Sequence, residues 1–579
     1  MKKIVSLALF ACVAFFPALA QHTEQNHGIR FEQLGPMLRT PNVYRTASGA
    51  PGHLYWQQQA NYVIDVELDD ANQSIKGKET VTYINNSPDA LTYLWLQLDQ
   101  NNRGKDSDTP KVTESSITPK MSLRTLEGIL WHSDDYDVKI LSIKDESGKP
   151  LNVAINKTMM RIDLPKPLKA GETVRFSIDW SFNITDRVGY IGGRPGYEYF
   201  PKDGNYLYTM AEWFPRMAVY SDFQGWQNKQ FLGQGEFALT FGNYEVRITV
   251  PADHMVGATG VLQNPEEVLS ATELQRWNKA KQTYDAPVVI RTQAEAEALE
   301  KKKAPGKKTW IFKADNVRDF AWTSSRKFIW DAMAVKQGGK DVMAMSYYGK
   351  EGNPLWEQYS TRVVAHTLKS YSSHTFDYPY PTAISVEGSN GMEYPMICFN
   401  YGRPDADGTY SDAIKYGMIS VIIHEVGHNY FPMIVNSDER QWTWMDEGLN
   451  TFMQFMAEQE WDRNYPSRRG PAHKIVPYMK SEKHLLEPIM TNSENIIQFG
   501  PNAYAKPATA LNILRETVMG RDLFDFAFQE YSRRWMFKHP TPDDLFRTLE
   551  DASAVDLDWF WRGWFYGTEP VDISIENVA

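Results

Sequence analysis

The chain has 579 residues, far more than one hydrophobic core accommodates, so at least two folded units are expected. Apolar residues make up 42% and charged residues 23%, ordinary globular usage that excludes a disordered or fibrous chain. The net charge of −11 comes without a basic stripe, so the electrostatic footprint of a nucleic-acid binder is missing.

Residues 1–20, "MKKIVSLALFACVAFFPALA", pair Lys2 and Lys3 with an apolar run and a small-x-small ending at Ala18 and Ala20. That pattern predicts a secretory signal peptide, cut before Gln21, and an exported protein in the periplasm or outside the cell. The rival reading, lipid attachment at Cys12, has only about seven apolar residues before the cysteine. No later run approaches the ~20 apolar residues of a membrane span, so no transmembrane segment is expected after cleavage. Cleavage leaves Cys398 as the sole cysteine, and stability then comes from packing rather than from a disulfide.

From Tyr55 to about Leu262, alternating runs such as "YVIDVELDD", "GKETVTYINN", "TVRFSIDWSF" and "NYEVRITVPA" sit between Gly, Asn, Asp and Pro clusters. They predict an N-terminal antiparallel, β-sandwich-like domain, placed at 21–335. Within it, "QAEAEALEKKKAPGKK" at 293–308 is charged and poor in apolar residues, and is expected to be a solvated loop or insertion. From about Leu355 onward apolar residues recur three and four apart, so 336–579 is expected to be mostly helical. The pieces "DVMAMSYYG" and "TAISVEGSNGMEYPMICFN" add a small sheet, and the fold class is α+β.

One stretch carries chemistry: "HEVGHNYFPMIVNSDERQWTWMDEGLNTF", from His424. His424 and His428, at i and i+4, share one helix face, where two imidazoles must lie to meet one cation. Glu447, separated from His428 by eighteen residues, opens another apparent helix and can supply a third ligand. Three protein ligands leave a fourth position open, the arrangement of a catalytic zinc ion. Glu425 is turned about 100° around the helix, which suits it to a general base acting beside the metal. With 12 histidines, a chance H-E-x-x-H is expected on the order of 0.01 times in such a chain, which disfavours coincidence. His366, His374, His473 and His539 lack such spacing and receive no role.

These residues resemble the M1 family of zinc aminopeptidases, in the gluzincin group. The resemblance implies one zinc ion on His424, His428 and Glu447. The family's amine-binding G-x-M-E-N loop corresponds to "NGMEYP", giving Gly391, Met392 and Glu393, with Tyr394 where asparagine is usual and Asn390 in place of the leading glycine. Its catalytic tyrosine corresponds to Tyr504 in "NAYAKPATALNIL", with Pro507 replacing a glycine. Without the family, most of 30 tyrosines are core or rim residues and a glutamate after a glycine turn is usually solvated. "EWFPRMAVYSDFQGWQ", "YEVRITVPADHMVGATGVL" and "FWRGWFYGTEP" extend the similarity to secreted bacterial members. The resemblance implies a thermolysin-like metallopeptidase domain at 336–579 and peptide substrates with a free N-terminus; with 75 residues after Tyr504, the large C-terminal helical domain of many members is expected to be absent or reduced to a stub. Zinc endopeptidase, epoxide opening, and a non-catalytic binding or scaffold protein are the competing readings. Side-chain preference and oligomeric state are not legible.

Overall fold

The computed structural model describes residues 33–34, 37–112, 120–130, 136–188 and 194–569. The leader-like segment 1–20, with Cys12, lies outside the described residues.

Strand Gln59–Asp69 alternates buried and solvent-facing positions along its length. Tyr62, Ile64, Val66 and Leu68 point to one face, and Val63, Asp65 and Glu67 between them point to the other. It is the central strand of a seven-stranded sheet, antiparallel to Ser74–Ile84 and parallel to Gly242–Pro251. A four-stranded sheet built on Leu91–Gln97 and Met159–Leu168 brings Leu94, Leu96, Met160 and Ile162 into the same core.

Only residues 302–306 of the segment 293–308 form an exposed loop. Gln293–Lys301 is a helix, and strand Lys307–Val317 begins near its end. The side chains of Thr292 and Glu295 form a reciprocal capping box, and Ala296 is buried. Glu300 is buried as well, 2.9 Å from Nζ of the fully enclosed Lys327, which also gathers Asp203 and Glu351. The charges that made the segment look solvated therefore include one end of an interior ion cluster.

A six-stranded sheet underlies the site, ordered Val288–Arg291, Ile329–Gln337, Lys340–Tyr348, Thr382–Glu387, Ile397–Asn400, Met392–Tyr394. Residue 335, where the sequence placed a junction, lies inside its second strand. Helix Leu355–His374 makes the crossover between the parallel strands Lys340–Tyr348 and Thr382–Glu387. The short strand Met392–Tyr394 forms the outer edge and packs beside helix Asp412–Gly427. Among the described residues no helix is long and apolar enough to cross a membrane.

Candidate active site

Helix Asp412–Gly427 begins at Ser411, whose hydroxyl accepts a hydrogen bond from the Ile414 N–H. Towards its end Met418, Ile419, Ile422, Ile423 and Val426 are buried around the circumference. A helix enclosed on all sides carries its polar end residues inward with it, so His424, Glu425 and His428 need interior partners.

His424 Nδ1 lies 2.9 Å from Gln454 Oε1, and His428 Nδ1 lies 2.9 Å from the Phe431 carbonyl. Gln454 Nε2 is committed to the Ser420 carbonyl and to Glu458, so its oxygen faces the imidazole. Both Nδ1 atoms therefore donate, and both Nε2 lone pairs turn inward. Glu447 lies on the turn Trp444–Gly448 that opens helix Leu449–Trp461. Its Oε2 is 2.9 Å from His424 Nε2 and 3.3 Å from His428 Nε2, and the two nitrogens are 3.1 Å apart. Two lone pairs and a carboxylate oxygen at that range repel one another unless a cation lies between them. Tetrahedral zinc, with bonds of about 2.0–2.2 Å, spaces its ligand atoms about 3.3 Å apart, so this donor set fits it.

Neighbouring groups hold the ligands in register. Asn450 Nδ2 donates to the His424 carbonyl at 2.8 Å, and Tyr371 donates to Asn450 Oδ1 at 2.8 Å. Asp446 Oδ1 is 2.9 Å from His428 Nδ1, off the N–H axis that aims at Phe431, and adds negative charge behind the ring. Burial would depress the His428 pKa, but Glu393 and Asp446 more than reverse that. His424, buried beside His428, is lowered.

Glu425 faces the 389–393 loop. Its carboxyl, that of Glu393 and a His428 ring nitrogen lie within 4.8 Å of one another. A Cβ on residue 391 would come within 2.6 Å of Glu425 Oε1, so the close approach requires glycine there. Burial pushes the Glu425 carboxyl up to about 8; Glu447 and Glu236 add to the rise and His428 opposes it. Burial likewise raises Glu393 well above the carboxylate range, and its Oε1 has no protein partner. Tyr394, the next residue along the strand, points away and donates to Glu212 at 2.7 Å. The unusual tyrosine thus anchors the loop from behind. Met392 receives Arg194 Nη1 on its sulfur at 2.6 Å.

Tyr504 sits on the turn Gly500–Ala505, nearly parallel to the His424 ring, with centroids 5.9 Å apart. The Arg469 guanidinium lies 4.2 Å over its ring, and its hydroxyl donates to Glu447 Oε1 at 2.5 Å. Burial, reinforced by Glu447, keeps the phenol protonated far above its usual pKa, so it is a donor.

All eight residues singled out in the sequence thus gather at one site, seven of them lining a single cleft of about 550 Å³ while His428 lies behind its wall. Asp446, Gln454 and Glu236 were missed. Gln454 was findable, seven residues beyond Glu447 and so on the same helix face. Glu236 comes from the β-rich part and carries no local signal; Arg194 holds its Oε1 at 2.7 Å, and its Oε2 has no partner.

Residues 359–564 match the Peptidase family M1 domain. Aminopeptidase 2, mitochondrial, of Saccharomyces cerevisiae is 23% identical over 249 residues, 40% of this chain and 25% of that protein. Glutamyl aminopeptidase of Sus scrofa is 26% identical over 231 residues, 38% of this chain and 24% of that protein. The matched stretch spans about a quarter of the length of these curated relatives. The fold is similar to that of an M1 zinc metallopeptidase from Deinococcus radiodurans, with a TM-score of 0.57 at 15% identity, covering 91% of this chain and 98% of that one.

Proposed function

We propose that this chain, whose residues 359–564 constitute a peptidase family M1 domain, is a zinc-dependent aminopeptidase that removes the first residue of peptides. His424, His428 and Glu447 would hold the ion, which supplies Lewis acidity towards water and the scissile carbonyl. Glu425 takes the proton of the attacking water and returns it to the departing amine. Tyr504 exchanges its Glu447 acceptor for the substrate oxygen and stabilises the charge that develops there. Glu393, buried and with a free oxygen, pairs with the substrate's α-ammonium and so sets the distance from the chain end to the cleaved bond. The leader-like pattern of residues 1–20 supports an exported location.

The observation that carries this reading is the compact Nε2, Nε2, Oε2 triangle facing the same cleft as Glu425, Glu393 and Tyr504. Metal analysis of the purified protein, coupled to aminoacyl substrates with and without N-acetylation, tests it. One zinc per chain and turnover of free-amine substrates alone is the expected result. Turnover of N-acetylated peptides would make it an endopeptidase, and zinc without any turnover would leave a binding protein.

A further inference from the structure

We propose that Arg103, Arg187 and Arg194 form a carboxylate-binding subsite beside the amine-binding loop, so that peptides beginning with aspartate or glutamate are favoured. This deepens the aminopeptidase reading and rests on it.

All three guanidinium groups line the same cleft as Glu393 and Glu425. Two of them are tied to the loop that carries Glu393. Arg187 Nε donates to Ser389 Oγ at 2.8 Å, and Arg194 Nη1 meets the Met392 sulfur. A first residue whose ammonium rests on Glu393 therefore enters a cleft that these arginines line.

The charges there do not balance. Arg103 ends the turn Asp99–Arg103 and has no hydrogen bond or ion pair among the described residues. Asp99, at the start of the same turn, is already committed to Arg216 at 2.5 Å and Arg440 at 2.6 Å. Of the carboxylates facing the cluster, Glu236 is paired with Arg194, and Glu212 accepts from Tyr394 and is pushed by burial up to about 7. At least one positive charge is left over. Burial, with Arg194 alongside, lowers the half-buried Arg103 to about 10, and Glu212 offsets that drop only in part. Burial also lowers Arg187 to about 10, with Arg194 and Arg103 adding to the drop and Tyr394 and Glu212 opposing it. A half-buried cation gains from a counter-charge, and a planar guanidinium fork matches a carboxylate at two points. An incoming carboxylate supplies what the protein does not.

The carboxylate could be the side chain of the first residue or the C-terminus of a short peptide, and the test separates them. Binding is measured by calorimetry on the full-length, zinc-loaded Glu425→Gln protein, so that peptides persist. The ligands are Glu-Ala-Ala-amide, Gln-Ala-Ala-amide and Gln-Ala-Ala with a free C-terminus. The glutamate peptide is expected to bind about 10- to 100-fold tighter than its glutamine isostere, as for a charge-assisted hydrogen bond. Adding Arg103→Gln should bring that ratio close to one, and Arg103→Lys should restore part of it. In the otherwise unchanged enzyme, kcat/KM for the two peptides should follow the same pattern. Equal binding of the glutamate and glutamine amides overturns the subsite while leaving the aminopeptidase reading intact. Survival of the preference in Arg103→Gln, or a gain seen only with the free C-terminus, overturns it too. Failure of every free-amine peptide to bind sinks the aminopeptidase reading, and the subsite with it.

Discussion

Replacing Gly391 by alanine separates positioning from folding at this site. The new Cβ would stand 2.6 Å from Glu425 Oε1, whereas ordinary contact begins at 3.4 Å, so the carboxylate must retreat by about 0.8 Å. The next nearest atoms, Glu425 Cδ at 3.5 Å and Val421 Cγ1 at 3.6 Å, are already at ordinary contact. The obstructing atom is the tip of a flexible side chain, so the fold should absorb the change with little loss of stability. Catalysis should not, because a displacement of roughly 1 Å in a reacting group costs about 10²-fold in rate. The assay is kcat on a free-amine aminoacyl substrate, together with zinc content and the thermal midpoint. About a hundredfold lower kcat is expected, with zinc and midpoint near those of the parent. Gly417→Ala is the control: it lies on the helix that carries Glu425 and lines the same cleft as Gly391, and a Cβ there meets nothing within 4 Å. If Gly391→Ala turns over within a factor of about two of the parent, Glu425 is not the positioned base.

Glu425→Gln should lose about 10²–10⁴ in kcat and keep its zinc; loss of the metal would instead place Glu425 among the ligands. Tyr504→Phe should lose about 10²–10³ in kcat at unchanged zinc content, and normal turnover would remove Tyr504 from the mechanism. Glu393→Ala should raise KM for free-amine substrates, with equal effects on N-blocked ones counting against amine recognition. Glu79 tests the β-rich core: it is fully enclosed, neither carboxyl oxygen has a partner, and burial raises its pKa well above the ordinary value. The folded state holds a proton that the unfolded state releases. Stability present below the unfolded pKa of about 4.3 is therefore lost as pH rises towards the folded pKa, by about 1.4 kcal/mol per pH unit. Glu79→Gln should gain on the parent between pH 5 and pH 7 in thermal unfolding, and parallel pH profiles would refute the buried acid.

Much of the fold was legible because its signals are local. The alternation in "YVIDVELDD" reflects a sheet with one face in the core, and the three- and four-residue spacing after Leu355 reflects helices with buried faces. The segment 293–308 misled for the opposite reason. Composition registers Glu300 as a charge, and only packing shows that it neutralises the enclosed Lys327. Met392–Tyr394 was legible as a strand-like piece, but not as the edge strand that presents Glu393 to the cleft.

The sequence by itself determined the chemistry that one helix can carry. Spacing of four residues sets His424 and His428 on one face and Glu425 off to the side, whatever surrounds them, because the helical repeat is a property of the backbone. Tertiary structure alone decided how Glu447 and Tyr504 close on that face, and that Gly391 leaves room for the Glu425 carboxylate. It alone brought Glu236 and the three arginines into the cleft, from more than a hundred positions away along the chain. Any influence of those groups on the site runs through desolvation and charge across the boundary between the β-rich and helical parts. Such effects depend on distances between segments that local sequence does not encode.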